Sequence, residues 1–183
     1  MKDQSRIVSH TLAVLVDNEA GVLARVIGLF SARAYNIESL TVAEVNKEKC
    51  LSRITVITTG TPQVIAQIKN QLNRLVSVHG VADLTESGPV IEREIALFKV
   101  RGKGEQRLEA LRLSDAFRAR VVDATQESFV FELTGNPSKL DAFAELMRPI
   151  GLVDMSRAGV VAISRGAEAM DYHAHDNDLI MPS

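Results

Sequence analysis

"VDNEAGVLARVIGLF", Val16 to Phe30, leads from an apolar run through two acids, an Asn and a Gly into a segment with apolar residues at helical spacing. Val22, Leu23, Val26, Ile27 and Phe30 fall on one helix face. Before the corner, Arg6 to Val16 alternate and then merge into "LAVLV", the pattern of a strand buried on both faces. Working outward, a second strand is predicted from about Ile37 to Val45, and "NKEK", Asn46 to Lys49, is a polar turn into a third, Leu51 to Thr59. "TGTP", Thr59 to Pro62, ends that strand and starts a helix, with Pro62 in the first turn, where its missing N–H costs nothing. Val64, Ile68, Leu72 and Leu75 form its apolar stripe, and Val76 to Leu84 is a fourth strand. The order βαββαβ predicts an α+β fold, an antiparallel four-stranded sheet with both helices on one face. Thr11, Ala13 and Leu15 alternate with Leu12, Val14 and Val16, so the face without helices also carries apolar groups. Something should cover it, most simply a second copy or a partner sheet.

"ESGPV", Glu86 to Val90, has the Gly-Pro punctuation of a boundary, and the same order then begins again. Strands are predicted over Ile91–Val100, Arg120–Thr125, Ser128–Leu133, Leu152–Ser156 and Gly159–Ser164, with helices over Glu105–Phe117 and Pro137–Met147. Asn136 and Pro137 repeat the start device of the earlier helix, a cap followed by Pro at the first helical position. The expected partition is 1–86 and 87–165, each a ferredoxin-like βαββαβ domain, with 166–183 as a flexible tail lacking period or core.

A chain of 183 residues suits two compact domains. Lys plus Arg number 21 against 23 Asp plus Glu, a net charge of -2 that offers no broad positive field to a phosphate backbone. Nucleic acid is therefore disfavoured, and no apolar stretch has the length of a membrane span. The single Cys50 cannot form an internal disulfide, and "MKDQSRIVSH" lacks the apolar run of a secretion signal, which together predict a cytoplasmic protein. At the start of a strand run, Cys50 is read as a small buried thiol.

A helix start presents unpaired N–H groups and the positive end of the peptide dipoles, which attract an anion. At the Val16–Phe30 corner Gly21 removes the side chain that would hold a ligand away from the backbone. A phosphate cradle would add glycines and a Lys, which are missing, and Asp17 and Glu19 would repel a dianion. A free amino acid suits the corner better: its carboxylate faces the N–H groups and its ammonium meets the Asn18 amide oxygen. The plain alternative is that Asp17 or Asn18 caps the helix and Glu19 complements its dipole. The two are compatible.

"VDNEAGVLARVIGLFSARAYNIESLTV", "EREIALFKV" (Glu92 to Val100) and "GVVAISRG" (Gly159 to Gly166) resemble the regulatory small subunits of acetolactate synthase over about the first 165 residues. The resemblance implies an N-terminal ACT domain, a C-terminal ACT-like domain, and no catalysis by this chain. It implies a homodimer through the ACT domains that binds valine at their interface and lowers the activity of a separate catalytic large subunit, which it activates when valine is absent. Thiamine diphosphate, Mg²⁺ and FAD would belong to that partner, and the pathway would be branched-chain amino-acid biosynthesis. By motif, Asn18, Ala20, Gly21, Val22 and Leu23 would hold the effector, with Asn36 and Ile37 completing the pocket from the paired chain. A free-standing ACT-domain regulator that responds to an amino acid without the synthase is the alternative; no helix-turn-helix or basic reading segment marks it as DNA-binding. Two departures stand out. Ala34 replaces the family's usual Gly before "YNI", which would cost on the order of 1 kcal/mol in a left-handed position unless Asn36 takes that position instead. Ala24 stands where Ser is common, which bears on the strength of inhibition.

Other constellations are weaker. "RGKGEQRLEA", Arg101 to Ala110, lacks P-loop spacing and reads as a solvated turn before a helix. "YHAHD", Tyr172 to Asp176, has two His and an acid in the expected tail, too few ligands for a metal site. His10 and His79 lie in strand runs and suit structural roles. Phe98, Phe129 and Phe131 occupy strands that stack bases in RNA-recognition folds, but without the basic-Gly-aromatic signature they read as packing. An acylphosphatase-type site would need Arg in the first corner, and Arg25 lies inside the helix.

Overall fold

The computed structural model describes residues 6–167. The first half runs β1 (Val8–Asp17), α1 (Val22–Ala32), β2 (Ser39–Asn46), β3 (Leu51–Gly60), α2 (Pro62–Leu72) and β4 (Val78–Asp83), with sheet order β2-β3-β1-β4. The second runs β5 (Val90–Arg101), α3 (Glu105–Phe117), β6 (Arg120–Ala124), β7 (Ser128–Gly135), α4 (Pro137–Met147), β8 (Leu152–Arg157) and β9 (Val161–Ser164), with order β6-β7-β5-β8 and β9 paired to β5. All strand registers along both orders are antiparallel, as the repeated βαββαβ pattern predicts. Among the described residues, contacts group 6–91 with 161–167, and Glu92–Val160 form a second unit. The crossing thus falls after Ile91 rather than at 86/87, and Val161–Ser164, expected in the second domain, groups with the first.

In the first unit Leu12, Val14 and Val16 meet Val22, Val26 and Phe30 of α1 and Ile65, Ile68 and Leu72 of α2. The stripe expected on α2 is rotated slightly: Ile65 is buried, whereas Val64 is half-buried and Leu75 packs from beyond the helix end. Thr61 caps α2, accepting from Val64 N–H with Pro62 behind it. Val76 belongs to the turn before β4 and is 99% exposed. The face without helices is not bare. Ala13, Leu15, Leu51, Ala82 and Leu84 are buried there beneath Ala162 of β9 and the half-buried Val90.

Helix α1 ends differently from the Asn36 alternative. Ala34 itself is left-handed (φ 54), and its N–H reaches Ser31 O (3.2 Å) while Tyr35 N–H reaches Phe30 O (3.0 Å). This paired closure, with the Phe30 and Tyr35 rings edge to face at 6.2 Å, satisfies the last carbonyls and holds Ala34 in place despite its Cβ.

In the second unit Phe98, Phe131, Phe143, Leu140 and Met147 form the interior. Phe129 packs beside them under the Arg107 guanidinium, 3.8 Å from the ring centroid. These rings are core, not a base-stacking platform. Asn136 accepts from Lys139 N–H at 3.0 Å and caps α4 as expected. The buried Glu94 carboxylate binds Arg157 through both oxygens and receives Gly159 N–H at 3.2 Å. Against partial desolvation, the Glu94 hydrogen bond and then Asp141 hold the Arg157 guanidinium protonated well above the usual arginine range. A raised pKa contributes stability at every lower pH, so on the arginine side this pair stays intact across the workable range.

Two outcomes are expected in urea denaturation. Ala34→Gly relieves a left-handed strain of about 1–2 kcal/mol and adds about 0.4–1 kcal/mol of unfolded-chain entropy, for a net gain of about 0.5–1 kcal/mol. Arg157→Met leaves Glu94 charged and buried without its main partner, and lowers stability by about 2–4 kcal/mol. An unchanged midpoint in either case contradicts the corresponding account.

Candidate functional site

The corner between β1 and α1 is assembled from three strand ends. Asp17 N–H donates to Ser77 O (3.0 Å) and Asn18 N–H to Cys50 O (2.6 Å), which ties the corner to the start of β4 and to the β2–β3 turn. Side chains repeat those ties: Asp17 Oδ1 lies 2.6 Å from His79 Nε2, and Asn18 Nδ2 donates to Glu44 Oε1 at 3.0 Å. Register shifts sit on both sides, between Leu15 and Val16 on β1 against β4 and between Glu44 and Asn46 on β2. Such bulges re-aim strand ends beside binding sites.

Neither Asp17 nor Asn18 caps α1. Gly21 occupies the cap position with φ 87 and ψ -10, and no side chain accepts there. The left-handed angle favours glycine, and a Cβ would point into open space. Val22 N–H reaches Glu19 O only at 3.4 Å and Arg25 N–H closes onto Gly21 O at 3.1 Å. Among the described residues nothing accepts from Leu23 or Ala24 N–H, so the first turn keeps donors facing outward. A carboxylate accepts only, so Glu44 takes an Asn18 N–H and leaves the Asn18 amide oxygen able to meet an ammonium.

The expected site residues fall into two groups. Asn18, Ala20 and Gly21 are exposed at the corner, Leu23 is half-buried, and Val22 is core, so it can offer a ligand its N–H alone. Asn36 and Ile37 lie elsewhere. Thr58 Oγ1 donates to Asn36 O at 2.6 Å, and Ile37 packs on the first core. Thr58 pairs His10 and Leu51 pairs Asp17, so the groups sit at opposite ends of β1, seven residues or roughly 23 Å apart. One chain does not bring them together.

Glu44 and Ser77 carry no mark in the sequence, and His79, read there only as a structural strand residue, joins the corner with them through strand register and bulges. A His on β4 and an acid in the chain give no local sign that they meet. His10 and Asp83 form a second His–Asp pair, this one buried, at 2.8 Å; Asp83 also accepts Thr85 N–H, so this end of the sheet is tied structurally. Cys50 is exposed and left-handed (φ 49), not the buried thiol expected, because it ends the turn rather than starting the strand. Arg25 donates to Ser77 Oγ at 3.0 Å and leaves no phosphate cradle. "YHAHD" lies outside the described residues. Among the described residues no group of three His, Cys, Asp or Glu could hold a metal, and no helix is long and apolar enough to cross a membrane.

Comparison with known proteins bears on both halves. Residues 12–80 match the family described as an AHAS small subunit-like ACT domain, and residues 93–166 the family described as the small subunit of acetolactate synthase. A probable acetolactate synthase small subunit of Archaeoglobus fulgidus is 45% identical over 87% of this chain and 98% of its own length. The acetolactate synthase isozyme 3 small subunit of Escherichia coli K12 is also 45% identical, over 87% and 97%. The crystal structure of the Thermotoga maritima acetolactate synthase small subunit superposes with a TM-score of 0.79 at 35% identity, covering 88% of this chain and 99% of that one.

Cys50 gives a direct check of the corner. Its thiol is expected to react with Ellman's reagent in the native protein about as fast as in urea; a thiol that reacts only after unfolding places the β2–β3 turn, and the Asn18 amide bound to it, under cover.

Proposed function

The chain belongs to the family of acetolactate synthase small subunits, and we propose that it is the regulatory subunit that binds valine and adjusts a catalytic large subunit. On this reading it raises the partner's activity when valine is absent and lowers it when valine is bound. Thiamine diphosphate, Mg²⁺ and FAD belong to the partner, and the complex works in the cytoplasm.

The observation that carries the reading is the corner: outward donors at the first turn of α1 lie beside the Asn18 amide and Glu44. The carboxylate of a free amino acid would take the N–H groups. Its ammonium would lie between the Asn18 oxygen and the Glu44 carboxylate. The separation of Asn36 and Ile37 from this corner agrees with a dimer. β2 is an edge strand with Val42, Ala43, Glu44 and Val45 exposed; the Asn18 contact is near its end, and Asn36–Ile37 just precede its start. Two copies paired antiparallel along β2 would set the corner of one beside Asn36 and Ile37 of the other. The side chain of valine would then lie in the seam.

Regulation on this scheme needs only a modest energy. A ligand that prefers one arrangement of the assembly by about 1–3 kcal/mol shifts activity severalfold to a hundredfold. An apolar seam separates side chains that differ by a methylene by about 1–3 kcal/mol, so leucine and isoleucine would bind more weakly, not be refused.

Calorimetry of the isolated chain with valine is expected to show saturable heat. Asn18→Ala should weaken affinity by about tenfold, the loss of a hydrogen bond to a charged group, with the urea midpoint nearly unchanged. Activity of the large subunit should rise with the chain and fall again with valine. Absence of heat up to millimolar valine defeats the reading, and unchanged affinity in Asn18→Ala removes Asn18 from the site.

A further inference from the structure

The segment "GVVAISRG", Gly159 to Gly166, contains β9, the strand that groups with the first unit. Its seat is specific. Ala162 is 7% exposed on a bed of Ala13, Leu15, Leu51, Ala82 and Leu84, and its carbonyl accepts from the Arg53 guanidinium at 2.6 Å. Arg165 N–H donates to Pro89 O at 3.0 Å, within the same unit. Its neighbours Val161 and Ile163 point the other way and are more than half exposed. Glycines with positive φ, Gly159 (86) and Gly166 (111), stand on either side. Besides its pairing with β5, this short strand is held on the first sheet by one small side chain and a clasp, between two permissive residues.

The seat shares its strands with the effector corner. Arg53 pairs Leu15 and Leu51 pairs Asp17 on neighbouring β1 and β3; Cys50, one residue before Leu51, receives the Asn18 N–H. From Asn18 to Leu15 is three residues, about 10 Å. Leu15 and Leu51 form the bed under Ala162, and such an interior is too densely packed to absorb a shift of the strand ends without moving what lies on it. The Arg53 clasp is a charge-assisted hydrogen bond, directional and sensitive to that shift.

Resting on the effector reading above, we propose that Arg53 and Ala162 are positioning residues for the response to the effector, not for its binding. Occupancy of the corner re-seats β9 through Leu15, Leu51 and the Arg53 clasp. The change passes along the chain at Val160–Val161, where it re-enters the first unit.

The test uses the full chain reconstituted with its catalytic subunit, with valine as the probe, and compares affinity with inhibition. Arg53→Met is expected to bind valine within about threefold of the wild type, by calorimetry, yet to lose most of the valine inhibition of the synthase. Arg53→Lys, which keeps a cationic donor for the Ala162 carbonyl, should recover much of it. Ala162→Met, which overfills the bed, should behave like Arg53→Met. Inhibition of both Met variants at the wild-type level overturns the proposal. So does a parallel loss of affinity and inhibition, which would make these residues part of the site or of the fold. If Arg53→Met does not fold, Ala162→Gly decides: it keeps the carbonyl and removes only the seated methyl, and full inhibition in it overturns the proposal. A wild-type chain that neither binds valine nor responds to it defeats the effector reading itself, a result distinct from a responsive wild type with equally responsive variants.

Discussion

β1 has no exposed face between Leu12 and Val16, and the first unit is arranged around that constraint. Leu12, Val14 and Val16 require the two helices. Ala13 and Leu15 require a second cover, and the chain supplies it by bringing Ala162 of β9 back to pack on that face. Burying apolar surface on both sides of a central strand is favourable in proportion to the area removed from water, but it leaves the ends of that strand as the place where polar groups can meet solvent. The corner at Asp17–Gly21 is one such end.

At that end several short-range requirements coincide. The backbone must turn from strand to helix, which needs a left-handed residue, and Gly21 provides it. The helix then begins without a side-chain cap, so its donors remain available, while Asp17 and Asn18, which could have capped it, are drawn sideways to His79 and Glu44. A structural fastening of the strand ends and a helix start without a side-chain cap are therefore the same arrangement. On the proposed reading, its donors need not be rearranged when a ligand arrives, which lowers the entropic cost of binding.

The two units repeat an order of elements without repeating an interior. The first is filled with aliphatic side chains and one Phe from α1; the second with Phe98, Phe131 and Phe143 in edge-to-face contact. Each sheet has a face without helices. In the first unit it is buried beneath β9. In the second, Ile95 and Leu97 remain 42% exposed on β5. The same topology thus serves different ends, and the polar ties follow suit: His10–Asp83 and Asp17–His79 join strand ends in one unit, Glu94–Arg157 a strand to its neighbour in the other.

Element order, helix starts at Pro62 and Pro137, the caps Thr61 and Asn136 and the family were legible from residues alone, because caps, proline positions and apolar periodicity act within a few residues of the chain. Asn18 and Gly21 could be singled out for the same local reason. What the chain could not disclose is what distance along it conceals: that Glu44 and His79 meet the corner, that Ala34 keeps the left-handed position, that Cys50 faces solvent, and that Ala162 lies on Ala13 and Ala82. Those depend on strand register, on bulges and on one segment returning from the far end, interactions between residues dozens of positions apart whose energies no local pattern encodes. Periodicity decided which face of each element is apolar; only packing decided what covers it.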